Sequence, residues 1–399
     1  MIVGGGQAGF QTAFSLRSEG YEGPITLIGE EPHVPYQRPP LSKGFVLGKQ
    51  SNAQILLRPE SYYTDHNIRF LAGERAAVIE TPEHRVRLGS GSAIPYDALV
   101  LATGASNRTL PVPGAQQHGV CYLRTLAEAV EIKQRFESAN RVVVIGGGFI
   151  GLELAASAST LGKAVTVIEA LPRLLARVVA PVVSEFFQRS HKERGVEVLL
   201  TSKVREIRGS EGEAREVVLE DGSTRPADFV VVGIGIAPVT ALAQEAGLLV
   251  SNGIGVDEFL KTGDGRIYAI GDCAEYPNFF SGSRIRLESV QNAVDQAVCV
   301  AKAIAGKPAP YRAAPWFWSD QFEIRLQMAG LPAGHDRLVV RGQPDEGKFS
   351  VFHFRNGRLC AVDSVNRPAD HLAARRLIAS GASLTPEQAA DEGINLKTL

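Results

Sequence analysis

Short apolar runs rich in β-branched residues alternate along this chain with longer stretches of small and apolar residues. The run Ile2-Val3 precedes a predicted helix over residues 8–18, and the run at 142–145 precedes a predicted helix over 149–160. Both runs are apolar at every position, which is typical of strands buried on both faces of a parallel sheet. The pattern therefore predicts an α/β architecture built from strand–helix units.

The same succession of elements occurs twice. After each first helix come a second buried strand, a short meander and an apolar strand that ends at glycine. These segments are residues 25–28, 86–88 and 98–104 in one copy, and 164–168, 217–219 and 229–233 in the other. We interpret the chain as one nucleotide-binding plan used twice, with the second copy, residues 107–237, inserted into the first, residues 1–106 and 238–311.

The pattern changes after residue 311. Residues 322–362 alternate between polar and apolar positions, as antiparallel strands do, and residues 369–380 predict a helix. Both tryptophans, Trp316 and Trp318, lie at the start of this part. The predicted fold is thus two Rossmann-like domains, one inserted in the other, followed by a small C-terminal α+β domain over residues 312–399.

A G-x-G-x-x-G fingerprint follows the first strand of each copy, at Gly4, Gly6 and Gly9 and again at Gly146, Gly148 and Gly151. The first glycine of such a motif permits a tight turn, the second lets the backbone approach a pyrophosphate, and the third lets the helix pack on the strand. The phosphate then binds unpaired amides at the positive end of the helix. Two fingerprints predict two dinucleotides, and the economical pair is a flavin and a nicotinamide.

Composition narrows the class of protein. The chain is 44% hydrophobic and 21% charged with a net charge of −1, which argues against a nucleic-acid partner. No apolar run approaches the ~20 residues of a membrane span, and the first strand begins too early to leave room for a signal peptide. We expect a cytoplasmic protein with no membrane partner, monomeric or weakly dimeric.

The four cysteines, Cys121, Cys273, Cys299 and Cys360, are scattered, and neither they nor the eight histidines show metal-ligand spacing. No metal site is predicted. The absence of a cysteine pair also argues against a flavin-dependent disulfide reductase, and it predicts that Cys273 is a buried packing residue.

Carboxylates at the ends of the second strands are candidates for binding adenosine ribose. Glu169 ends the strand at 164–168, where it would accept hydrogen bonds from a ribose 2′-hydroxyl and repel a 2′-phosphate, which favours NADH over NADPH. A solvated glutamate is the alternative, and Arg173 or Arg177 could serve a phosphate. Glu30 is the equivalent residue of the first copy, and its neighbour Glu31 is expected in solvent.

Two further segments suggest ligand binding. The proline-rich stretch 33–43 is expected to be rigid and extended, so that it presents Arg38 and Lys43 inward, although such a segment is more commonly a surface loop. The strand at 267–270 ends in Gly271-Asp272, where the glycine would let backbone close on a ligand and the aspartate would bind a hydroxyl. A strand followed by an Asx turn is the simpler interpretation of that segment.

The order of motifs along the chain resembles that of the NADH-dependent ferredoxin reductases of bacterial oxygenase systems. The motifs are GGGQAGF, PYQRPPLSK, LATGAS, VIGGGFIGLELA, YAIGDCA, RLESVQNA and PWFWSDQ, and the resemblance extends to residue 368. It implies an FAD domain, an inserted NADH domain and a C-terminal domain that covers one face of the flavin. It also implies electron transfer to a two-iron two-sulfur ferredoxin that serves a monooxygenase, here of the haem type.

The resemblance also implies site residues. FAD would be bound by Gly4, Gly6, Ala8, Gly9, Glu30, Arg38, Lys43, Ala76, Thr103, Gly104, Arg124, Gly271, Asp272, Val290 and Trp318. NADH would be bound by Gly146, Gly148, Ile150, Gly151, Glu153, Glu169, Arg177, Gly233 and Gly235. Lys43 beside the flavin, Glu153 beside the nicotinamide and Trp318 near the partner surface are the catalytic candidates. Glu153 could instead be a capping or helix-face carboxylate, and both tryptophans could be plain core.

Flavin can take a hydride from a nicotinamide and release the two electrons singly, so no covalent nucleophile is needed. Three other functions stay open for the same fold: an NADH oxidase that forms hydrogen peroxide, the electron input of a nitrite reductase, and a redox-sensing flavoprotein that acts as an interaction module. Fast turnover with a one-electron acceptor would separate an enzyme from such a sensor.

Overall fold

The computed structural model describes all residues, 1–399. Its strands, in chain order, are β1 Ile2–Val3, β2 Ile25–Gly29, β3 Ile68–Ala72, β4 Ala76–Glu80, β5 Arg85–Leu88, β6 Ala93–Pro95, β7 Leu99–Leu101, β8 Ala105–Asn107, β9 Val120–Tyr122, β10 Arg141–Ile145, β11 Ala164–Ile168, β12 Glu197–Leu199, β13 Val204–Ser210, β14 Glu213–Leu219, β15 Thr224–Pro226, β16 Phe229–Val232, β17 Ile236–Pro238, β18 Ile254–Gly255, β19 Ile267–Ala269, β20 Ala274–Asn278, β21 Ser283–Ile285, β22 Trp316–Gln321, β23 Ile324–Gly330, β24 Arg337–Gln343, β25 Lys348–Arg355 and β26 Arg358–Val365.

The α-helices are α1 Gln7–Ser18, α2 Asn52–Ile55, α3 Ser61–Asp65, α4 Leu126–Ser138, α5 Phe149–Thr160, α6 Pro181–Glu193, α7 Ala241–Glu245, α8 Val290–Ile304, α9 Pro368–Ser380 and α10 Pro386–Ala390. Short 3₁₀ helices occur at Pro39–Ser42, Gly271–Cys273, Pro344–Glu346 and Leu396–Thr398. No helix has the length and apolar character required to cross a membrane.

The chain divides into two compact units. The first contains Met1–Gln37, Asn52–Ser106 and Ala237–Pro315, and the second contains Arg38–Ser51, Asn107–Ile236 and Trp316–Leu399. The predicted first segment, residues 1–106, is therefore interrupted, since residues 38–51 pack with the second unit. Side chains of this segment bond to residues of the second unit: Lys43 pairs with a residue of α5, and Arg38 bonds to the backbone just before α4, as described below.

The first unit is built on a five-stranded parallel sheet of order β19-β7-β1-β2-β3. The two-residue strand β1 is central and pairs on both sides, with Ile2 opposite Leu27 and Val100. Its inward residues join a core that extends to helices α1 and α8. A three-stranded meander, β4-β5-β6, accompanies the sheet.

The second unit repeats this plan. Its parallel sheet has the order β12-β11-β10-β16-β9, and the meander β13-β14-β15 corresponds to β4-β5-β6. If β10 is matched to β1 and β11 to β2, the strand orders agree at every position. Only the edge strand differs in origin, because β9 precedes its sheet in the chain whereas β19 follows its own. The duplicated Rossmann-like plan predicted from the sequence is thereby confirmed.

The C-terminal part of the second unit is an antiparallel sheet of order β22-β23-β26-β25-β24, with α9 and α10 packed on it, which confirms the predicted α+β character. Strand β22 has two distinct faces because side chains alternate along a strand. Phe317 contacts Phe149 of α5, with ring centroids 4.7 Å apart. Trp316, on the opposite face, packs edge-on against His371 of α9.

One local expectation was wrong. The proline-rich segment was expected to be extended through residue 43, but Pro39–Ser42 forms a 3₁₀ helix with the prolines in its first turn. Proline is well suited to the start of a helix, because its fixed φ is helical and the missing amide would be unpaired there in any case. The turn is what aims Ser42 and Lys43 at their partner on α5.

Candidate dinucleotide-binding and redox site

The first unit gathers several of the predicted flavin-binding segments at one edge of its sheet, whereas Arg38, Lys43, Arg124 and Trp318 belong to the second unit. Gly4 follows β1, Glu30 follows β2, Thr103 and Gly104 follow β7, and Gly271 follows β19, so all lie at the carboxyl ends of parallel strands. This edge is where α/β sheets bind ligands. A Cβ on Gly271 would lie 3.2 Å from the Cβ of Ala8, so the Gly-Asp turn lies against the start of α1.

The second unit gathers its segments in the same way. Gly146 follows β10, Glu169 follows β11 and Gly233 follows β16. A Cβ on Gly146 would lie 2.4 Å from the carbonyl oxygen of Gly233, so the glycine loop passes directly over the end of β16. Gly235 lies two residues further along, against the side chain of Arg108.

The three glycines of each fingerprint are required for different reasons. A Cβ on Gly9 would lie 1.9 Å from the Gly4 oxygen, and one on Gly151 would lie 2.1 Å from the Gly146 oxygen, so helix and turn are too close for any side chain. A Cβ on Gly6 would meet nothing within 4 Å, and one on Gly148 would meet only an oxygen at 3.9 Å. The protein itself does not require the middle glycines, whereas a pyrophosphate lying against them would.

The helix starts support the same conclusion. Gly6 and Gly148 are the N-cap residues of α1 and α5, and neither helix has a side chain that caps its first amides. Uncapped amides at the positive end of a helix are donors for an anion. The residues present therefore fit one dinucleotide pyrophosphate at each fingerprint.

Glu169 does more than end a strand. Its Oε2 accepts a hydrogen bond from the backbone amide of Gly147 and its Oε1 accepts one from Leu171, each 2.7 Å long. The carboxylate therefore fixes the glycine loop, and each oxygen retains a lone pair for a ribose hydroxyl. Glu169 is not simply a solvated residue.

The arginines that follow Glu169 differ from each other. The Arg173 guanidinium donates to the carbonyls of Ala176 and Val179 and to the Ser184 hydroxyl, at 2.7–2.9 Å. It is thereby committed to holding its own loop. Arg177 is exposed. Of the two, Arg177 is the more exposed.

In the first unit, Glu30 is exposed at the end of β2, as a ribose ligand must be. The expectation that Glu31 is solvated was wrong, because its Oε2 accepts a 2.6 Å hydrogen bond from the hydroxyl of the buried Tyr36. Glu30 is thus exposed, whereas Glu31 is half-buried and bonded to Tyr36.

Glu153 is a buried charged residue of the second unit. It lies within α5, only 3% exposed, and its Oε2 forms an ion pair with Lys43 Nζ at 2.8 Å. Ser42 donates a hydrogen bond to the same oxygen, and Ser319 donates one of 2.7 Å to Oε1. A buried carboxylate needs such donors, because removing it from water is costly. Glu153 is thus neither a cap nor a solvated helix-face residue.

Lys43 is the accessible partner of this pair, with 21% of its side chain exposed. Its backbone is held by the 3₁₀ turn, and the Ser42 carbonyl accepts a 2.8 Å hydrogen bond from Ser157 of α5. The ammonium is therefore held in position by Glu153 and remains partly accessible to solvent.

Arg38 and Arg124 are brought together, since an Arg38 Nη donates to the Arg124 carbonyl. Arg124 directly precedes the capping box of α4, where its amide donates to Glu128 at 2.7 Å. Of the remaining candidates, Ala76 begins β4, Val290 begins α8 and Ile150 lies in the first turn of α5 with 43% of its surface exposed.

The two tryptophans stack, with ring centroids 5.6 Å apart and planes inclined by 30°. Arg375 of α9 lies over the Trp316 ring at 4.8 Å. Both rings are partly exposed, so they are not plain core. Trp318 and Ser319, although adjacent, lie on opposite faces of β22, so that only Ser319 contacts Glu153.

Cys273 is fully buried, and its thiol donates to the carbonyl of Ile270 at 3.2 Å. All four cysteines are free. Burial raises the pKa of the Cys273 thiol, so it is held in the unreactive protonated form. The prediction of a buried packing residue is confirmed.

Three residues that contribute to this site were not foreseen: Ser42, Ser319 and Gln321. Ser42 and Ser319 are the hydroxyl donors to Glu153, and Gln321 bonds to Ser319. The signal was present in β22, where the polar residues Ser319 and Gln321 lie on the same face as the aromatic Phe317. Nothing in the sequence says which helix that face covers.

Comparison with known proteins agrees with this description. The family model for pyridine nucleotide-disulphide oxidoreductases matches residues 1–297, and a reductase C-terminal model matches residues 316–399. The chain is 51% identical over 397 residues to rhodocoxin reductase of Rhodococcus erythropolis, covering 100% of this chain and 93% of that protein.

Two solved structures are also similar over nearly the whole chain. One is the ferredoxin reductase for the CYP199A2 system of Rhodopseudomonas palustris, with a TM-score of 0.98, 46% identity, and coverage of 100% of this chain and 98% of that one. The other is the covalent putidaredoxin reductase–putidaredoxin complex, with a TM-score of 0.97, 42% identity, and coverage of 99% and 96%. With its two dinucleotide fingerprints and its C-terminal sheet, this chain belongs to the pyridine nucleotide-disulphide oxidoreductase family, among the ferredoxin reductases.

Proposed function

We propose that the protein is an FAD-dependent NADH:ferredoxin oxidoreductase that supplies a monooxygenase of the haem type. The observation that carries the proposal is the pair of glycine fingerprints, each with a middle glycine that only a ligand requires. The similarity to rhodocoxin reductase and to the putidaredoxin reductase complex supports a two-iron two-sulfur ferredoxin as acceptor. NADH is a cytoplasmic reductant, so we propose that the enzyme acts in the cytoplasm.

Bound FAD would supply the conversion of one hydride donor into two single-electron transfers. The chain's own residues have the tasks of binding and orientation. We assign the pyrophosphate of FAD to the amides at Gly6 and its ribose to Glu30. The pyrophosphate of NADH is assigned to the amides at Gly148, and its ribose to Glu169.

Lys43 and Glu153 are assigned to the redox centre. The ammonium of Lys43 is a fixed positive charge that can stabilise negative charge on an adjacent ring, and fixed charges act strongly where water is excluded. Glu153 holds that ammonium in one position. The remaining flavin and nicotinamide contacts are assigned as the family resemblance implies.

Acceptor choice tests the proposal. Under anaerobic conditions, the purified holoprotein is mixed with NADH and either a two-iron two-sulfur ferredoxin or a one-iron rubredoxin, and reduction is followed by absorbance. We expect fast reduction of the two-iron protein. Hydrogen peroxide formation in air at the same rate, without ferredoxin reduction, would support an NADH oxidase. A long-lived complex with oxidised nicotinamide and slow turnover would support a redox sensor.

Replacing the middle and the last glycine of the second fingerprint should give different defects. Gly148→Ala should weaken NADH binding ~10- to ~100-fold, since a hydrogen bond to a charged group contributes about 1.5–3 kcal/mol. Its unfolding free energy should fall by less than about 1 kcal/mol, the scale of an N-cap change. Gly151→Ala should instead destabilise the fold by about 1–3 kcal/mol through overpacking. Calorimetry and NADH titration would distinguish the two, and equal stability losses would contradict the assignment.

Glu169→Gln should erode the preference for NADH. The substitution removes a negative charge whose repulsion of a 2′-phosphate is worth about 1–4 kcal/mol between bulk water and a partly buried site. The ratio of kcat/KM values for NADH and NADPH should therefore fall at least ~5-fold. Because the ratio compares two coenzymes on one variant, any loosening of the glycine loop lowers both kcat/KM values and cancels in their ratio. A wild-type enzyme that used both coenzymes equally would refute the role.

Cys273→Ser should retain steady-state activity within about twofold, because a hydroxyl can donate to the same carbonyl as the thiol. Thiol titration before and after NADH addition provides the control. Two new thiols on reduction would mean that a disulfide takes part in turnover.

A further inference from the structure

The hydrogen bonds of Glu153 continue beyond Ser319 into the C-terminal sheet. Ser319 Oγ donates to Glu153 Oε1 at 2.7 Å, and Gln321 Nε2 donates to Ser319 Oγ at 3.3 Å. Gln321 Oε1 in turn lies 2.9 Å from His191 Nε2 on helix α6. Four polar side chains thus form one continuous chain from α6 to α5 by way of β22.

Every member of this chain is withdrawn from water. His191 and Ser319 are 0% exposed, Gln321 is 1% exposed and Glu153 is 3% exposed. Buried polar groups cost free energy unless they are paired, and apolar residues would fill this face of β22 at lower cost. The neighbour Phe317 on the same face is such an apolar residue. The two polar positions therefore call for an explanation other than packing.

The direction of donation along this hydrogen-bonded chain follows from its last member, the Glu153 carboxylate. A carboxylate only accepts, so the Ser319 hydroxyl must donate to Glu153 and use a lone pair to accept from the Gln321 amide nitrogen. Gln321 then has only its carbonyl oxygen for His191, which must donate from Nε2. Burial lowers the pKa of His191, which favours the neutral ring, and the contact with Gln321 Oε1 then requires the ring proton to be on Nε2. All three donors point toward Glu153.

We infer that Ser319 and Gln321 are positioning residues for the Glu153–Lys43 pair, anchored by His191 of α6. The inference rests on the role proposed above for that pair. The chain cannot carry protons to the site, because the Gln321 amide does not pass a proton on. Its function is to fix the carboxylate in the one rotamer that holds Lys43, and hydrogen bonds aligned head to tail strengthen one another.

Because His191 anchors the hydrogen-bonded chain, the position of the Glu153 carboxylate depends on α6, a helix of the nucleotide-binding part. The C-terminal sheet holds α6 at both ends: Asp363 accepts from the Ala180 amide at 2.9 Å, and the Phe322 ring packs on His191 and Arg194. His191 is therefore fixed relative to β22. A shift of α6 would be felt at Glu153 through the chain.

The test uses the holoprotein and two substitutions that keep side-chain volume. Ser319→Ala should slow flavin reduction by NADH in single turnover ~10-fold and leave the affinity for NAD⁺ within ~2-fold, since one donor to a charged group is lost. Gln321→Met should slow it ~3-fold or more, and the double variant should be no slower than Ser319→Ala, because both changes break one chain. Ser364→Ala is the matched control, since Ser364 is equally buried in the same sheet but bonds to Ser350.

A second measurement does not depend on turnover. In the oxidised holoprotein without NADH, ¹⁵N NMR of the histidine rings should find His191 neutral and protonated on Nε2. Ser319→Ala should shift its Nε2 resonance, whereas Ser364→Ala should not. An Nε2-unprotonated ring, or multiplicative rate losses in the double variant, would overturn the inference. If Ser319→Ala shifts the His191 Nε2 resonance as expected but Glu153→Gln reduces the flavin as fast as wild type, the result would instead refute the proposed role of Glu153.

Discussion

Glu153→Gln should slow flavin reduction by NADH about 10²-fold, the scale observed when one preorganised electrostatic group is removed. The glutamine side chain has nearly the same shape, so the cavity stays filled. The ion pair with Lys43 is lost, and one of the two serine hydroxyls meets an amide NH₂ in place of an acceptor. Affinity for NADH should change less than ~3-fold, because the pyrophosphate is bound elsewhere.

The companion variant Lys43→Met should be similarly slow but less stable. It leaves Glu153 charged, 3% exposed and supported by serine hydroxyls alone. Removing one partner of a buried ion pair costs about 3–5 kcal/mol, and the partial exposure of Lys43 argues for the lower end of that range. Glu153→Gln is milder, since Lys43 can turn toward water.

Glu131→Gln is the matched control for this prediction. Glu131 pairs with Arg135 at 3.0 Å on helix α4 of the same unit, but 52% of its side chain is exposed. Its loss should leave both the NADH half-reaction and stability nearly unchanged, as for most surface ion pairs. Stopped-flow absorbance and thermal unfolding measure both quantities. A rate for Glu153→Gln within threefold of wild type would show that the pair has only a structural role.

Trp318→Ala should have the opposite effect from Glu153→Gln: it should slow electron delivery to the ferredoxin and leave flavin reduction by NADH nearly unchanged. Electron delivery to a two-iron ferredoxin should fall at least ~10-fold, since truncating a central interface tryptophan typically costs about 2 kcal/mol or more. Flavin reduction by NADH should change less than ~3-fold, because Trp318 faces away from Ser319 and Glu153. It lies instead against Trp316, which carries Arg375 over its ring.

Phe317→Leu provides the reciprocal control. Phe317 is the neighbour of Trp318 in β22 but lies on the other face, against Phe149 at the start of α5. A defect there should appear in the NADH half-reaction and leave ferredoxin reduction at saturating reductant unchanged. Equal losses of both half-reactions in Trp318→Ala would mark the tryptophan as a packing residue of the whole redox centre.

Much of the fold could be predicted from the sequence because its signals are local. A glycine fingerprint between an apolar strand and a helix specifies a βα turn with few alternatives, and the helix predicted over residues 149–160 is α5. The second strand predicted at 164–168 is β11. The second copy supports the first, because the same succession of elements forms the same parallel sheet in both.

The site could be predicted only in part. Glu153, Lys43 and Glu169 were predicted as site residues, but their hydrogen-bond partners were not, because Ser42, Ser319 and the Gly147 amide are distant from them in the sequence. Hydrogen bonds of that range leave no periodic trace in a sequence. The same limit explains Glu31, whose tyrosine partner depends on the turn that follows β2, and Arg173, which folds back onto its own loop.

Electron counting tests the central claim most directly. Under anaerobic conditions, the holoprotein in catalytic amount is given a known amount of NADH and an excess of oxidised two-iron two-sulfur ferredoxin, and both absorbances are followed to completion. The account predicts two ferredoxins reduced for each NADH consumed. NADH left unconsumed while ferredoxin stays oxidised, or consumed only when oxygen is admitted, would contradict it.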